Sequence, residues 1–118
     1  MRQKERQRTK GQDMTTKYSF YIGLHDKDKK VQIIETLTAA NIINHIFIDN
    51  GADGATITSG KGIYKHENGE IVVEETIIVQ VYEFETALNV YKICDQLKQV
   101  LNQESIAVEK QETDSRLY

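Results

Sequence analysis

The sequence predicts an α+β sandwich of element order β-α-β-β-α-β, with a four-stranded sheet and two helices on one face. Three observations carry that prediction. Apolar residues alternate strictly over residues 18–25, Asn68-Gly69 sits between two strand-like runs, and two stretches of helical spacing separate the strand segments.

In the first strand, residues 18–25, Tyr18, Phe20, Ile22 and Leu24 fall on one side and Ser19, Tyr21, Gly23 and His25 on the other. The polar run from His25 to Lys30 reads as a loop, with Asp26 or Asp28 placed to cap the helix that follows. That helix is expected over residues 31–46, on the spacing of Ile33, Ile34, Leu37, Ala40, Ile43 and Phe47. The polar, glycine-bearing segment 49–54 ends it and frays its last turn, where His45 and Asp49 lie.

Residues 55–66 and 71–83 flank Asn68-Gly69, the dipeptide favoured in type I′ hairpin turns, which need positive φ at both central positions. Pairing outward from that turn sets Tyr64 opposite Val73 and Gly62 opposite Glu75. This register would turn Ile57 outward, so a bulge at Gly60-Lys61-Gly62 is expected to return it to the core. A second helix over residues 85–103 uses Ala87, Val90, Tyr91, Cys94, Leu97 and Leu101, and a last strand over 105–110 turns Ile106 and Val108 inward. Right-handed crossovers then give a ferredoxin-like sandwich with strand order 4-1-3-2 and antiparallel pairing in its sheet.

The 118 residues suffice for one domain over 18–110, between a disordered basic tail, 1–17, and a polar C-terminal tail, 111–118. The first 17 residues carry a net charge of +4 and the remainder −7. Lys10-Gly11 is encodable by a purine run of the ribosome-binding type just ahead of Met14, so Met14 is expected to be the natural start and residues 1–13 not native. The single cysteine, Cys94, and the lack of a signal-like or membrane-length apolar run point to a cytoplasmic protein without membrane contact.

The hairpin GATITSGKGIYKHENGEIVVEETIIVQVYEF resembles the long central hairpin of the PII-like group, which includes nitrogen-signalling PII proteins and the cation-tolerance protein CutA. The segment LKQVLNQESIAVEK is similar to that of a small uncharacterised bacterial family in the same group. The resemblance implies a trimer built through sheets and hairpins, with ligands at subunit clefts. Here the tight Asn68-Gly69 turn replaces the long loop of the nucleotide-binding members, and Lys61 and Lys65 are the only lysines or arginines in the hairpin.

Four residues are candidates for ligand binding: Glu75, which intrudes on an apolar strand face, with Tyr64, Lys61 and Lys65. Tyr21, Val72, Ile78 and Tyr82 share the sheet face away from the helices and are the candidate oligomer interface. Glu74 and Glu75 are sequence neighbours on a strand, point to opposite faces, and cannot share a proton or a metal. His25, Asp26 and Asp28 have ligand-type side chains, yet loop capping accounts for them better than a metal does. His66 adjoins the turn, and Cys94 reads as core.

There is no catalytic constellation, and the cofactor is left unspecified. The leading expectation is a non-enzymatic regulatory homo-oligomer that takes a small ligand or a protein partner. Against it stand a small acidic protein that occupies a partner's nucleic-acid-binding groove, a single-stranded nucleic-acid-binding module, which the acidic body disfavours, and, last, an enzyme using Glu75 or His25 as base.

Overall fold

The computed structural model of the protein describes residues 14–65 and 68–118 and realises the β-α-β-β-α-β order. Its elements are β1 (Met14–Gly23), α1 (Thr36–Asp49), β2 (Thr56–Lys65), β3 (Ile71–Tyr82), α2 (Val90–Leu101) and β4 (Ala107–Asp114). The sheet runs β2-β3-β1-β4, the expected 4-1-3-2 read from its other edge, and every pairing in it is antiparallel. The expectations for residues 1–13 and for His66 lie outside the described residues.

Alternation does what the sequence requires of it. Phe20 and Ile22 of β1 and Ile77, Val79 and Val81 of β3 are buried, as are Ala39, Ile43 and Phe47 of α1 and Ile93, Leu97 and Leu101 of α2. Together they form one core cluster between sheet and helices. At its centre the Phe20 and Phe47 rings meet edge to face at 4.8 Å, and burial of such a side chain stabilises by roughly 1.5–3 kcal/mol. Asn50, just past α1, ties the helices: its amide donates to the Ile46 carbonyl at 2.7 Å and to Gln96 Oε1 at 2.8 Å.

Several boundaries differ from the sequence reading. The first strand begins at Met14, so residues 14–17 leave the expected tail; Met14–Lys17 pair with Asp114–Gln111 of β4. The last strand accordingly runs four residues past position 110. Ile106 precedes it, and Val108 shares the face of its partner Phe20 but remains exposed.

The first helix starts at Thr36 because residues 31–32 fold back on the loop. Asp26 N–H donates to the Val31 carbonyl at 2.8 Å, and His25 bridges Gln32. Ile33 and Leu37 are therefore exposed. The helix continues through His45 and Asp49, which stay helical rather than frayed. Residues 85–89 lie outside α2, leaving Ala87 and Tyr91 exposed, while Ile93 takes the buried place. Cys94 packs half-buried at the core's margin.

The hairpin register is shifted by one residue from expectation. Ile63 faces Val73, Tyr64 faces Val72, and pairing continues without interruption to Thr56↔Gln80. The shift itself aligns Ile57 with Val79, so the bulge expected at Gly60-Lys61-Gly62 is absent. This is not the register of a two-residue type I′ turn at Asn68-Gly69, although Gly69 does have a positive φ, +89°. Asn68 Oδ1 instead accepts from Glu70 N–H at 2.9 Å, an Asx-type closure.

Candidate functional site

Strand side chains alternate between faces, so the register decides which candidate residues can meet. Lys61, Lys65 and Glu75 lie on the helix side of the β2–β3 hairpin. Tyr64, opposite Val72, lies on the other, open side. The four expected ligand residues are thus divided between two faces. The structure brings together Lys61 and Glu75, direct cross-strand partners whose ammonium and carboxylate form an ion pair. Glu75 is 31% exposed there, so the pair answers the intrusion of a carboxylate into an apolar face by neutralising it at the core's margin.

The open side has a centre that sequence reasoning missed. The Glu74 carboxylate lies over Gly23 and accepts from His25 N–H at 3.0 Å. A methyl group on Gly23 would overlap it. Next to Glu74, the Tyr64 ring folds back over Gly62 beside the Thr76 hydroxyl; a Cβ at Gly62 would stand 2.8 Å from Tyr64 Cε2. Two strand glycines therefore admit a carboxylate and an aromatic ring close to the backbone. The legible signal was those glycines within strands; what they admit depends on tertiary contacts.

His25 is held from its other side as well. Gln103 Nε2 donates to the His25 carbonyl at 2.6 Å, so the peptide groups around this residue are gripped by both β3 and the segment after α2. Asn102, in the left-handed conformation at φ 49°, donates its amide to Asp26 Oδ1 and Asp28 Oδ2, each at 2.9 Å. Asp26 also accepts from the N–H groups of Asp28 and Lys29, at 3.0 and 2.8 Å. It closes its own turn rather than capping α1, correcting that expectation. The Lys29 N–H, and after it the Asn102 amide, hold the Asp26 carboxyl below the usual carboxylate range. No group of three or more metal-ligating side chains converges among the described residues.

Tyr21, Val72, Ile78 and Tyr82 do share the open face. Tyr21 and Ile78 are direct partners, Val72 and Ile78 are half-buried, and the two tyrosines are exposed. At the far end of this face Tyr82 stacks on Phe84, with centroids 5.1 Å apart, and the Lys17 ammonium stands 5.6 Å from the Tyr82 ring. A shallow cleft of about 760 Å³ opens there between this pair and residues 114–118. No helix among the described residues is long and apolar enough to cross a membrane.

Fold and site together define a small α+β sandwich whose long hairpin carries polar groups on one side and an aromatic-bearing sheet face on the other. The chain belongs to the DUF3574 family, described as a protein of unknown function, matched over residues 17–116. No curated protein matches it. Two solved structures of a phage SAM lyase are similar in fold. The complex with S-methyl-5′-thioadenosine has a TM-score of 0.61 at 21% identity, covering 90% of this chain and 86% of that one. The apo state has a TM-score of 0.62 at 18% identity, covering 89% and 86%.

Proposed function

We propose that the protein is a PII-like cytoplasmic regulatory protein that acts as a homo-oligomer, a trimer, and binds a small ligand without transforming it. One observation carries this reading: the β2–β3 hairpin holds a half-buried carboxylate and a tyrosine beside an exposed aromatic sheet face, on which Tyr21, Val72, Ile78 and Tyr82 require a cover. The ligand site comprises Tyr64 with Glu74 on the open side, and Glu75 with Lys61 and Lys65 on the other, completed by a neighbouring copy. Because the phage SAM lyase of similar fold holds S-methyl-5′-thioadenosine, a thioadenosine-type nucleoside is the first ligand to try.

Native mass spectrometry, with S-methyl-5′-thioadenosine and S-adenosylmethionine added in turn, tests the proposal. A trimer that retains either compound, and loses it on Tyr64→Ala, is the expected result. A bare monomer under all conditions overturns it. The same fold likeness favours a second reading, an enzyme that cleaves S-adenosylmethionine, and release of S-methyl-5′-thioadenosine on incubation would replace the non-enzymatic reading with that one.

A further inference from the structure

The dipeptide Asn-Gly occurs twice in the chain, at Asn50-Gly51 and at Asn68-Gly69. In both places the glycine nitrogen is the nearest nucleophile to the asparagine amide carbon, and glycine puts no side chain in the way of its approach. By sequence the two sites are equally open to that attack. By structure they are opposites.

Asn50 is buried, and its Nδ2 donates to the Ile46 carbonyl at 2.7 Å and to Gln96 Oε1 at 2.8 Å. The Gly51 N–H donates to the Ile48 carbonyl at 3.4 Å, and a Cβ on Gly51 would stand 2.6 Å from the Ala87 carbonyl oxygen. Turning the Asn50 amide toward Gly51 would break both of its hydrogen bonds and require the end of α1 to open.

Asn68 and Gly69, at the hairpin tip, are both exposed, and nothing lies within 4 Å of the place a Cβ on Gly69 would take. Among the described residues neither the Gly69 N–H nor Asn68 Nδ2, the nucleophile and the leaving group, has a hydrogen-bond partner. The one contact of the Asn68 side chain favours the reaction. Its Oδ1 accepts from the Glu70 N–H at 2.9 Å, and a donor there draws charge from the amide carbon and steadies the oxyanion formed when that carbon is attacked.

We propose that Asn68 is a site of spontaneous covalent modification, converting to aspartate and isoaspartate in the folded protein while Asn50 persists. The Gly69 nitrogen gives its proton to solvent base and bonds to Asn68 Cγ. The Cγ–Nδ2 bond then breaks and ammonia leaves with a proton from water, closing a cyclic imide. Water opens that ring at either carbonyl. One product keeps the normal main chain with a carboxylate side chain; the other runs the main chain through the side-chain carbon and lengthens it by a methylene. Both add a negative charge beside Glu70, and the second also lengthens the connection between Lys65 and Ile71, the last pair of the hairpin. The tip of the hairpin is thus a slow, irreversible clock that needs neither ligand nor partner.

Peptide mapping by mass spectrometry tests it, on the full chain incubated for weeks at neutral and mildly alkaline pH. In the folded protein Asn68 should convert at least about tenfold faster than Asn50, which must wait for local opening. In urea strong enough to unfold the chain, the two rates should converge. Conversion at Asn68 should quicken as pH rises, because the attacking nitrogen must lose its proton. Asn68→Ser, which has no amide to attack, should abolish the acidic form that ion exchange separates. In the isoaspartate fraction, hydrogen exchange of the amides next to the turn should be faster than in the unmodified protein.

Equal rates at the two sites in the folded protein, or conversion of Asn68 confined to the unfolded chain, would overturn the proposal. So would an acidic form that persists in Asn68→Ser. Turn amides that exchange alike in the modified and unmodified proteins would overturn the lengthened connection and leave the modification site standing.

Discussion

The backbone N–H of His25 donates to the carboxylate of Glu74 at 3.0 Å, across 49 residues of chain. The carboxylate reaches that position because Gly23 has no side chain to exclude it. The contact joins the end of β1 to the hairpin where the two strands part, since Gly23↔Thr76 is the last β1–β3 pair. Glu74→Ala should therefore destabilise the protein by about 1.5–3 kcal/mol, the scale of a lost hydrogen bond to a charged group. Gly23→Ala should cost a similar amount by expelling the same carboxylate. Urea denaturation of the double variant should show a loss well short of the sum, because both changes break one interaction.

The Asp26 turn makes stability depend on acid. Its carboxyl is held below the usual range in the folded chain by the Lys29 N–H and then by the Asn102 amide. The stabilisation is fully present above the ordinary carboxylate range and is lost as pH falls through that range to the lowered folded value. Asn102→Gly, which keeps access to the left-handed conformation while removing the amide, should shrink the pH-dependent part of the loss. Thermal melts of both proteins from neutral to acidic pH provide the check.

The Phe20–Phe47 contact predicts a large core effect. Both rings are fully buried and meet edge to face. Phe47→Ala should cost about 3–5 kcal/mol in denaturant unfolding, from lost transfer energy and the cavity left behind. Tyr91→Ala, at an exposed position on α2, should change stability by less than about 0.5 kcal/mol.

Cys94 should react slowly. Burial raises its thiol above the ordinary value, which reduces the thiolate fraction at neutral pH. A chromogenic disulfide reagent should modify the native protein more slowly than the unfolded one. Equal rates would contradict the placement of Cys94 against the core.

The element order and the inward residues of β1 and β3 were legible because strand alternation is local information: Phe20, Ile22, Ile77 and Val79 announce their face within their own segments. The register of the hairpin was not legible in that way. It depends on one residue at the turn, where the Asn68 side chain closes on the Glu70 N–H. That single step sends Tyr64 to the opposite face from Glu75. The start of α1 was obscured because Val31 and Ile33 continue its apolar spacing while backbone bonds to Asp26 and His25 claim the segment for the loop. Of the candidate site, the contrast between Glu74 and Glu75 followed from alternation. The contact that employs Glu74 did not, since no local pattern links it to His25.

The partnership of β1 with β4 also bears on synthesis at the ribosome. Met14 faces Asp114, so the sheet closes over almost the full described length of the chain. The hairpin of β2 and β3 can pair as soon as it emerges, and β1 can join β3 soon after. Until residues 107–114 are made, however, β1 must present a bare edge over Met14–Tyr21 to every other chain in the cell. Nascent chains halted before that point should aggregate through this edge, since β4 is the strand that covers β1.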